Sequence, residues 1–423
     1  MYNAHAAFVI EGVGRGGGYR YQGGYVVDMA VLDEDGVPSE DRFSEYLLTW
    51  NMNGFEPEKV EILNDGRGEG PAHVRLLGKT TTFHFLDSFV GFIADAKPPD
   101  FKVNFDYTLG PEDKAISLKI TLMNEGDEDM KVKWPLSLAH TGDGGWAYAT
   151  GAGLDEEGMP GFIPYLGVIS RDVSYGVMRP EPLQPMYAYA GVGVYEEDRY
   201  TVPAGGSTEL QLWFAVTDRS AVGLDQIWRD LLAEEASTGR LTGKVTLPST
   251  TVSRDAWAVV RDSEGDVRTI SPVDADGAFH MDLEPGTYTV FAYAHDHAPA
   301  AQATVTVEAG SEVSAEVEIP QAAQVTVRVT DPDTGQWEPA RVTFIRKGDT
   351  PSPHPPSDVA LRRKSWSGTI SGVAMVVGPD TTITLPAGDY EAVATRGLSY
   401  ERDWRDVTLS ADGPNELDLN VQR

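Results

Sequence analysis

The chain has 423 residues, which at roughly 150 per domain predicts about three domains, each able to bury a core. Aspartate and glutamate number 65 against 34 lysines and arginines, a formal charge of −31, and a field of that sign repels nucleic-acid phosphates and anionic lipid headgroups. With no cysteine, disulfides, thiolate nucleophiles, zinc–cysteine sites and iron–sulfur clusters are excluded together.

No run of 18 apolar residues occurs, so no membrane span is expected, and the start Met1-Tyr-Asn-Ala-His5 lacks the basic and apolar regions of a secretory leader. The 44 glycines and 27 prolines punctuate short runs rich in Val, Thr, Tyr and Ile. That texture predicts a nearly all-β chain.

In chain order, the first strong strand patterns are Val60 to Leu63, His73 to Leu77, Phe101 to Tyr107 and Ile116 to Leu122. Alternation in the last two sends one face to a core and the other to water. A helix is predicted over Ser220 to Glu235, where Val222, Ile227, Trp228 and Leu231 recur near helical spacing behind a serine cap. It closes a large antiparallel β domain over residues 1–237.

Past the polar joint Gly239 to Gly243, strands recur about every ten residues with turn signals between them. The segment Leu283-Glu-Pro-Gly286-Thr-Tyr288 returns about a hundred residues later as Leu385-Pro-Ala-Gly388-Asp-Tyr390. In each copy a glycine turn feeds an alternating strand. Two small antiparallel β-sandwiches are therefore expected, over 238–320 and 321–423, and Lys347 to Pro356 reads as an exposed loop.

These segments carry a resemblance. Gly243-Lys-Val, Asp274-Ala-Asp-Gly277-Ala-Phe279 and Leu283 to Tyr288 look like carboxypeptidase-regulatory-like domains with a transthyretin-like β fold. Gly23 to Asp28, Val60 to Gly66, Phe105 to Leu109, Asn124 to Gly126, Val173 to Gly176 and Val202 to Gly205 resemble the region ahead of the catalytic domain in bacterial PHP-type metallohydrolases (CehA/McbA family).

The resemblance implies a supersandwich-like domain followed by regulatory-like sandwiches. It also implies an exported protein, extracellular or periplasmic, that works beside a catalytic domain or subunit. The catalytic domain of that family opens with a His-x-His pair and needs several further histidines. Here His295-Asp-His297 is followed only by His354, too few ligands for such a site. The expectation is a non-catalytic accessory region that needs no cofactor.

Other motifs have plainer readings. His295 and His297 offer two imidazoles for a zinc or nickel ion that lacks a third ligand, whereas loop histidines are usually just solvated. The acidic turns Asp33 to Gly36, Asp262 to Asp266, Asp274 to Gly277 and Asp331 to Gly335 have the oxygen density of calcium loops. None completes a twelve-residue loop with its closing glutamate, and Asp-Gly sequences also build hairpin turns.

Gly12, Gly14 and Gly17 fit G-x-G-x-x-G without a helix pattern behind them, and Gly78-Lys-Thr80 lacks the earlier glycine of a phosphate loop. Neither H-E-x-x-H nor G-x-S-x-G occurs.

The most suggestive cluster is Trp134, His140, Asp143 and Trp146, in a glycine-flexed stretch with an indole to stack a sugar ring and polar groups to hold its hydroxyls. Tyr165, Tyr175, Tyr187 and Tyr189 are candidates to line the same region, against the plainer reading of strand tyrosines as packing. This sets an alternative beside the accessory reading: a free carbohydrate-binding or cell-surface protein with a polysaccharide or glycan as partner. A polysaccharide lyase or glycosidase on the large domain, needing only two carboxylates about 5–10 Å apart, ranks below it.

Overall fold

The computed structural model describes residues 1–14, 16, 22–39, 43–51, 53–82, 100–132, 136–140, 146–149, 153–154, 162–169, 173–189, 192–196, 199–232, 237–249, 251, 256–294, 296–353 and 370–423. Within the strands, positions 136–140, 146–147, 149, 153–154, 185–189 and 192–196 are described by backbone alone. The chain is nearly all β and divides into two compact units, Met1–Ala236 and Ser237–Arg423.

The first unit contains β1 (Ala6–Ile10), β2 (Val26–Val31), β3 (Glu45–Thr49), β4 (Asn53–Asn64), β5 (Ala72–Thr82), β6 (Phe101–Leu109), β7 (Ala115–Asn124) and β8 (Met130–Val132). It continues with β9 (Leu136–His140), β10 (Trp146–Ala149), β11 (Gly153–Leu154), β12 (Ile163–Ile169), β13 (Ser174–Tyr189), β14 (Val192–Glu196), β15 (Tyr200–Val202), β16 (Ser207–Thr217) and the helix α1 (Ala221–Leu232).

One antiparallel path runs β11-β10-β12-β13-β16-β7-β6-β5-β4. Strand β13 is long enough to serve two ladders: its first half pairs β12 and β16, and its second half pairs β14, which passes the ladder on to β9 and β3.

Alternation decides what faces inward. Phe101, Val103, Phe105 and Tyr107 on β6, with Ile116, Leu118, Ile120 and Leu122 on β7, are buried, while Lys102 and Lys119 are exposed. Phe105 stacks on Phe55 with ring centroids 4.1 Å apart and meets Tyr25, Trp50 and Tyr107 edge-on, an aromatic nucleus that joins β4 to β6 and the segment entering β2.

Helix α1 begins where the serine cap predicts, the Ser220 hydroxyl accepting from the Gly223 N–H at 3.1 Å. Its described residues run to Leu232, and 233–236, which include the predicted end at Glu235, lie outside the described residues. Val222, Leu224 and Ile227 form its buried face.

The second unit contains two arrays of strands. The first comprises β17 (Gly239–Thr246), β18 (Ala256–Arg261), β19 (Val267–Pro272), β20 (Ala278–Leu283), β21 (Gly286–Ala294), β22 (Ala303–Val307) and β23 (Glu312–Glu318). The second comprises β24 (Ala322–Thr330), β25 (Ala340–Arg346), β26 (Ile370–Val376), β27 (Thr381–Pro386), β28 (Gly388–Thr395), β29 (Asp403–Leu409) and β30 (Asn415–Asn420). The predicted division at residue 320 falls between β23 and β24, inside this compact unit.

Both arrays follow one plan, a three-stranded sheet (β20-β17-β23, β27-β24-β30) and a four-stranded one (β19-β18-β21-β22, β26-β25-β28-β29). The repeated turn repeats its bond as well. Tyr288 donates to the Glu284 carbonyl at 2.9 Å and Tyr390 to the Pro386 carbonyl at 2.8 Å, each reaching back four residues. Tyr390 packs in a core with Val325, Val342, Phe344 and Leu419.

Candidate functional site

Of the stretch singled out in the sequence, Trp134 and Asp143 lie outside the described residues. His140 ends β9 and Trp146 begins β10, and their strands belong to different ladders: His140 pairs Glu45 and Val192, whereas Trp146 pairs Ile169. Tyr187 and Tyr189 sit in the second half of β13, opposite Val194 and Val192.

Tyr165 on β12 and Tyr175 on β13 are buried, at 0% and 2% exposure, and the Tyr175 ring packs on Phe43 with centroids 5.5 Å apart. The Tyr165 hydroxyl donates to Asp225 Oδ1 of α1 at 2.5 Å, and the Tyr148 hydroxyl donates to Oδ2 at 2.6 Å. Burial pushes the Tyr165 phenol well above its ordinary range, and the adjacent Asp225 carboxylate adds to the effect. Trp228, one turn along α1, lies 6.0 Å from the Tyr165 ring. This Tyr–Asp–Tyr clamp pins the helix to the sheet.

The residue that the sequence reading missed is Glu45. It opens β3 at 0% exposure, and the register sets it directly across from His140, in the row Glu45–His140–Val192–Tyr189. A carboxylate taken wholly from water is expensive and persists only when well compensated. A carboxylate and an imidazole on neighbouring strands are also the raw material of acid–base chemistry. The only sequence signal was a lone acid heading the apolar run Tyr46 to Trp50.

A second carboxylate is engaged through one oxygen. Asp106 on β6, 4% exposed, accepts on one oxygen from His73 Nε2 and Arg75 Nε, both at 2.7 Å. Its bond to Asp106 raises the Arg75 guanidinium above its ordinary value. Across the sheet, Glu61, Arg75, Asp106 and Lys119 occupy successive strands of one row, so charges alternate in sign. Cross-strand pairing of this kind holds a sheet together and leaves Asp106 little to offer a substrate.

His297 is 3% exposed, with Nε2 at 2.8 Å from Thr251 Oγ1, and His295 lies outside the described residues.

The acidic turns are held by their own backbone. Asp33 Oδ1 accepts from the N–H groups of Asp35 and Val37, Asp262 Oδ1 from Glu264 and Asp266, and Asp274 Oδ1 from Asp276 and Ala278; Asp331 Oδ1 accepts from Asp333. Glycines at φ +76, +95, +83 and +67 (Gly36, Gly265, Gly277 and Gly335) make the reversals.

Among the described residues, Asp262, Glu264 and Asp266 bring carboxylate oxygens within 4.8 Å of one another. Asp262 is already committed, because Oδ2 binds Arg268 Nε at 2.6 Å. Partial burial pushes its carboxyl up, but the Asp266 and Glu264 N–H groups and the Arg268 guanidinium outweigh that and hold it below its ordinary value. No helix among the described residues is long and apolar enough to cross a membrane.

No protein-family model matches the chain, and no curated protein matches it. Among solved structures, the shaft pilin SpaA from Lactobacillus rhamnosus GG aligns at 10% identity over 44% of this chain and 97% of its own, with TM-score 0.27. The Bacillus anthracis TIE protein aligns at 11% identity over 100% of this chain and 59% of its own, with TM-score 0.20. The GH36 α-galactosidase AgaA from Geobacillus stearothermophilus aligns at 12% identity over 44% of this chain and 32% of its own, with TM-score 0.30. Likenesses at these scores carry no argument about what the chain does.

Proposed function

We propose that the chain is a non-catalytic accessory and scaffold region of an exported protein, extracellular or periplasmic, of the kind that precedes a PHP-type metallohydrolase domain. The observation that carries this reading is the duplication in the second unit. Two consecutive arrays share one sheet plan and one tyrosine-to-carbonyl turn, which is how a chain builds rigid spacing from a repeated module. Consistent with it, the carboxylates best placed by the fold are engaged in holding structure, at Asp106, Asp225 and Asp262.

The test is turnover by the purified chain on phosphoester, amide and acidic polysaccharide substrates, with manganese or zinc supplied. The expected result is no turnover above a heat-treated control, and metal-dependent turnover that purifies with the chain overturns the reading.

A second reading, glycan binding or cleavage on the large domain, is favoured by the Glu45–His140 register row alone. It predicts a polysaccharide pull-down signal that Trp146→Ala abolishes while the thermal transition stays in place. Retention that is absent, or unaffected by the substitution, removes it.

A further inference from the structure

The first and last strands of each array in the second unit are neighbours and run parallel. Strand β17 pairs β23 from Arg240↔Glu312 to Thr246↔Glu318, and β24 pairs β30 from Val325↔Asn415 to Thr330↔Asn420. Every other pairing within these two arrays is antiparallel. The entering strand is also central in its three-stranded sheet, bonded to β20 or β27 on its other side.

We infer that the two arrays are force-resisting modules, each closed by a ladder that tension along the chain loads in shear. A pull at Gly239 drags β17 one way along its axis, and a pull at Glu318 drags β23 the opposite way. All the bonds of the ladder, evenly spaced in a parallel pair, then resist together. Had the two strands been antiparallel, tension would enter at one end and open the bonds one at a time.

The ladder extends beyond its register pairs. The Arg240 N–H donates to the Ser311 carbonyl at 2.8 Å and the Ile319 N–H to the Thr246 carbonyl at 3.1 Å. In the second array the Val421 N–H donates to the Thr330 carbonyl at 3.0 Å. Strands β17, β23, β24 and β30 contain no proline, so no donor is missing.

Side chains stitch the same seam. Thr242 donates to Glu312 Oε1 at 3.2 Å, Thr330 to Asn420 Oδ1 at 3.0 Å, and Asn415 Nδ2 to the Gln324 carbonyl at 3.1 Å. Arg328 spans the whole three-stranded sheet, binding Asp380 beside β27 at 2.5 Å and Glu416 on β30 at 3.3 Å. Tension that leaves β23 enters β24 through Ile319, Pro320 and Gln321, so the two clamps lie in series.

This inference rests on registers alone and goes beyond the accessory reading, so it can fail while that reading stands. The lack of native cysteine makes the test direct, because thiol handles go only where they are placed. In the full chain, Arg240→Cys with Glu318→Cys puts optical-trap handles at opposite ends of the seam. Thr246→Cys with Glu318→Cys puts them at the same end, on register partners. All three positions are exposed.

Each variant is held reduced until labelled and checked for the parent's thermal transition. If either misfolds, Gln324→Cys or Thr330→Cys, each with Asn420→Cys, repeats the comparison in the second array. At equal pulling speed the shear geometry should rupture at a force on the order of threefold higher, because its evenly spaced bonds share the load. The release should be about 25–28 nm, the reach of the intervening chain. Equal rupture forces in the two geometries overturn the inference.

Discussion

Replacing Asp225 by alanine should destabilise the first unit more than any exposed acid does. The carboxylate is 7% exposed and accepts two buried phenol hydroxyls, from Tyr148 at 2.6 Å and Tyr165 at 2.5 Å. A hydrogen bond to a charged group contributes about 1.5–3 kcal/mol, so losing both predicts a loss of about 3–6 kcal/mol. In a unit of this size each kcal/mol moves the midpoint by about 2–4 °C, so the shift should be about 6–24 °C.

Scanning calorimetry is the assay, and the transition of residues 237–423 serves as the internal control, because it should not move. Asp225→Asn keeps one acceptor and should cost about half as much. A cycle with Tyr165→Phe should show coupling above about 1 kcal/mol, because each single change removes the same bond. A midpoint shift under about 2 °C in Asp225→Ala, or additive effects in the cycle, would refute the view that this clamp docks α1 on the sheet.

Three further predictions follow from burial and turn geometry. Burial pushes the Tyr390 phenol up to about 12 from its ordinary value of 10, so its contribution is intact below pH 10 and fades as the unfolded chain ionises above that. About 2–3 kcal/mol should be lost from the second unit by pH 12, read by denaturant titration and absent in Tyr390→Phe. Gly277→Ala should cost roughly 2 kcal/mol or more, since φ is +83 and a Cβ would stand 2.3 Å from the Val245 carbonyl oxygen; urea midpoints check it. Asp262→Ala should cost about 1–2 kcal/mol by releasing the Glu264 and Asp266 N–H groups, and millimolar calcium should leave the parent's melting temperature unchanged; a calcium-dependent rise would show the turn to be a cation loop.

What the sequence determined by itself was local. Period-two alternation gave the buried and wet faces of β6 and β7, the serine at 220 gave the start of α1, and Asp-x-Asp-Gly chemistry gave the turn at Asp274, because each depends on residues a few positions apart. Even the repeated tyrosine bond was foreshadowed by the recurring Gly-x-Tyr turn.

Tertiary structure alone decided the rest. Asp225 meets Tyr165 across 60 positions of chain and Tyr148 across 77. Glu45 stands opposite His140 only because β3 and β9 pair in that register, and a slip of one residue would set a different pair across the ladder. The parallel seams likewise join the first strand of each array to its last. Such pairings are set by which distant segments bury one another's apolar faces, a choice that no window of neighbouring residues records.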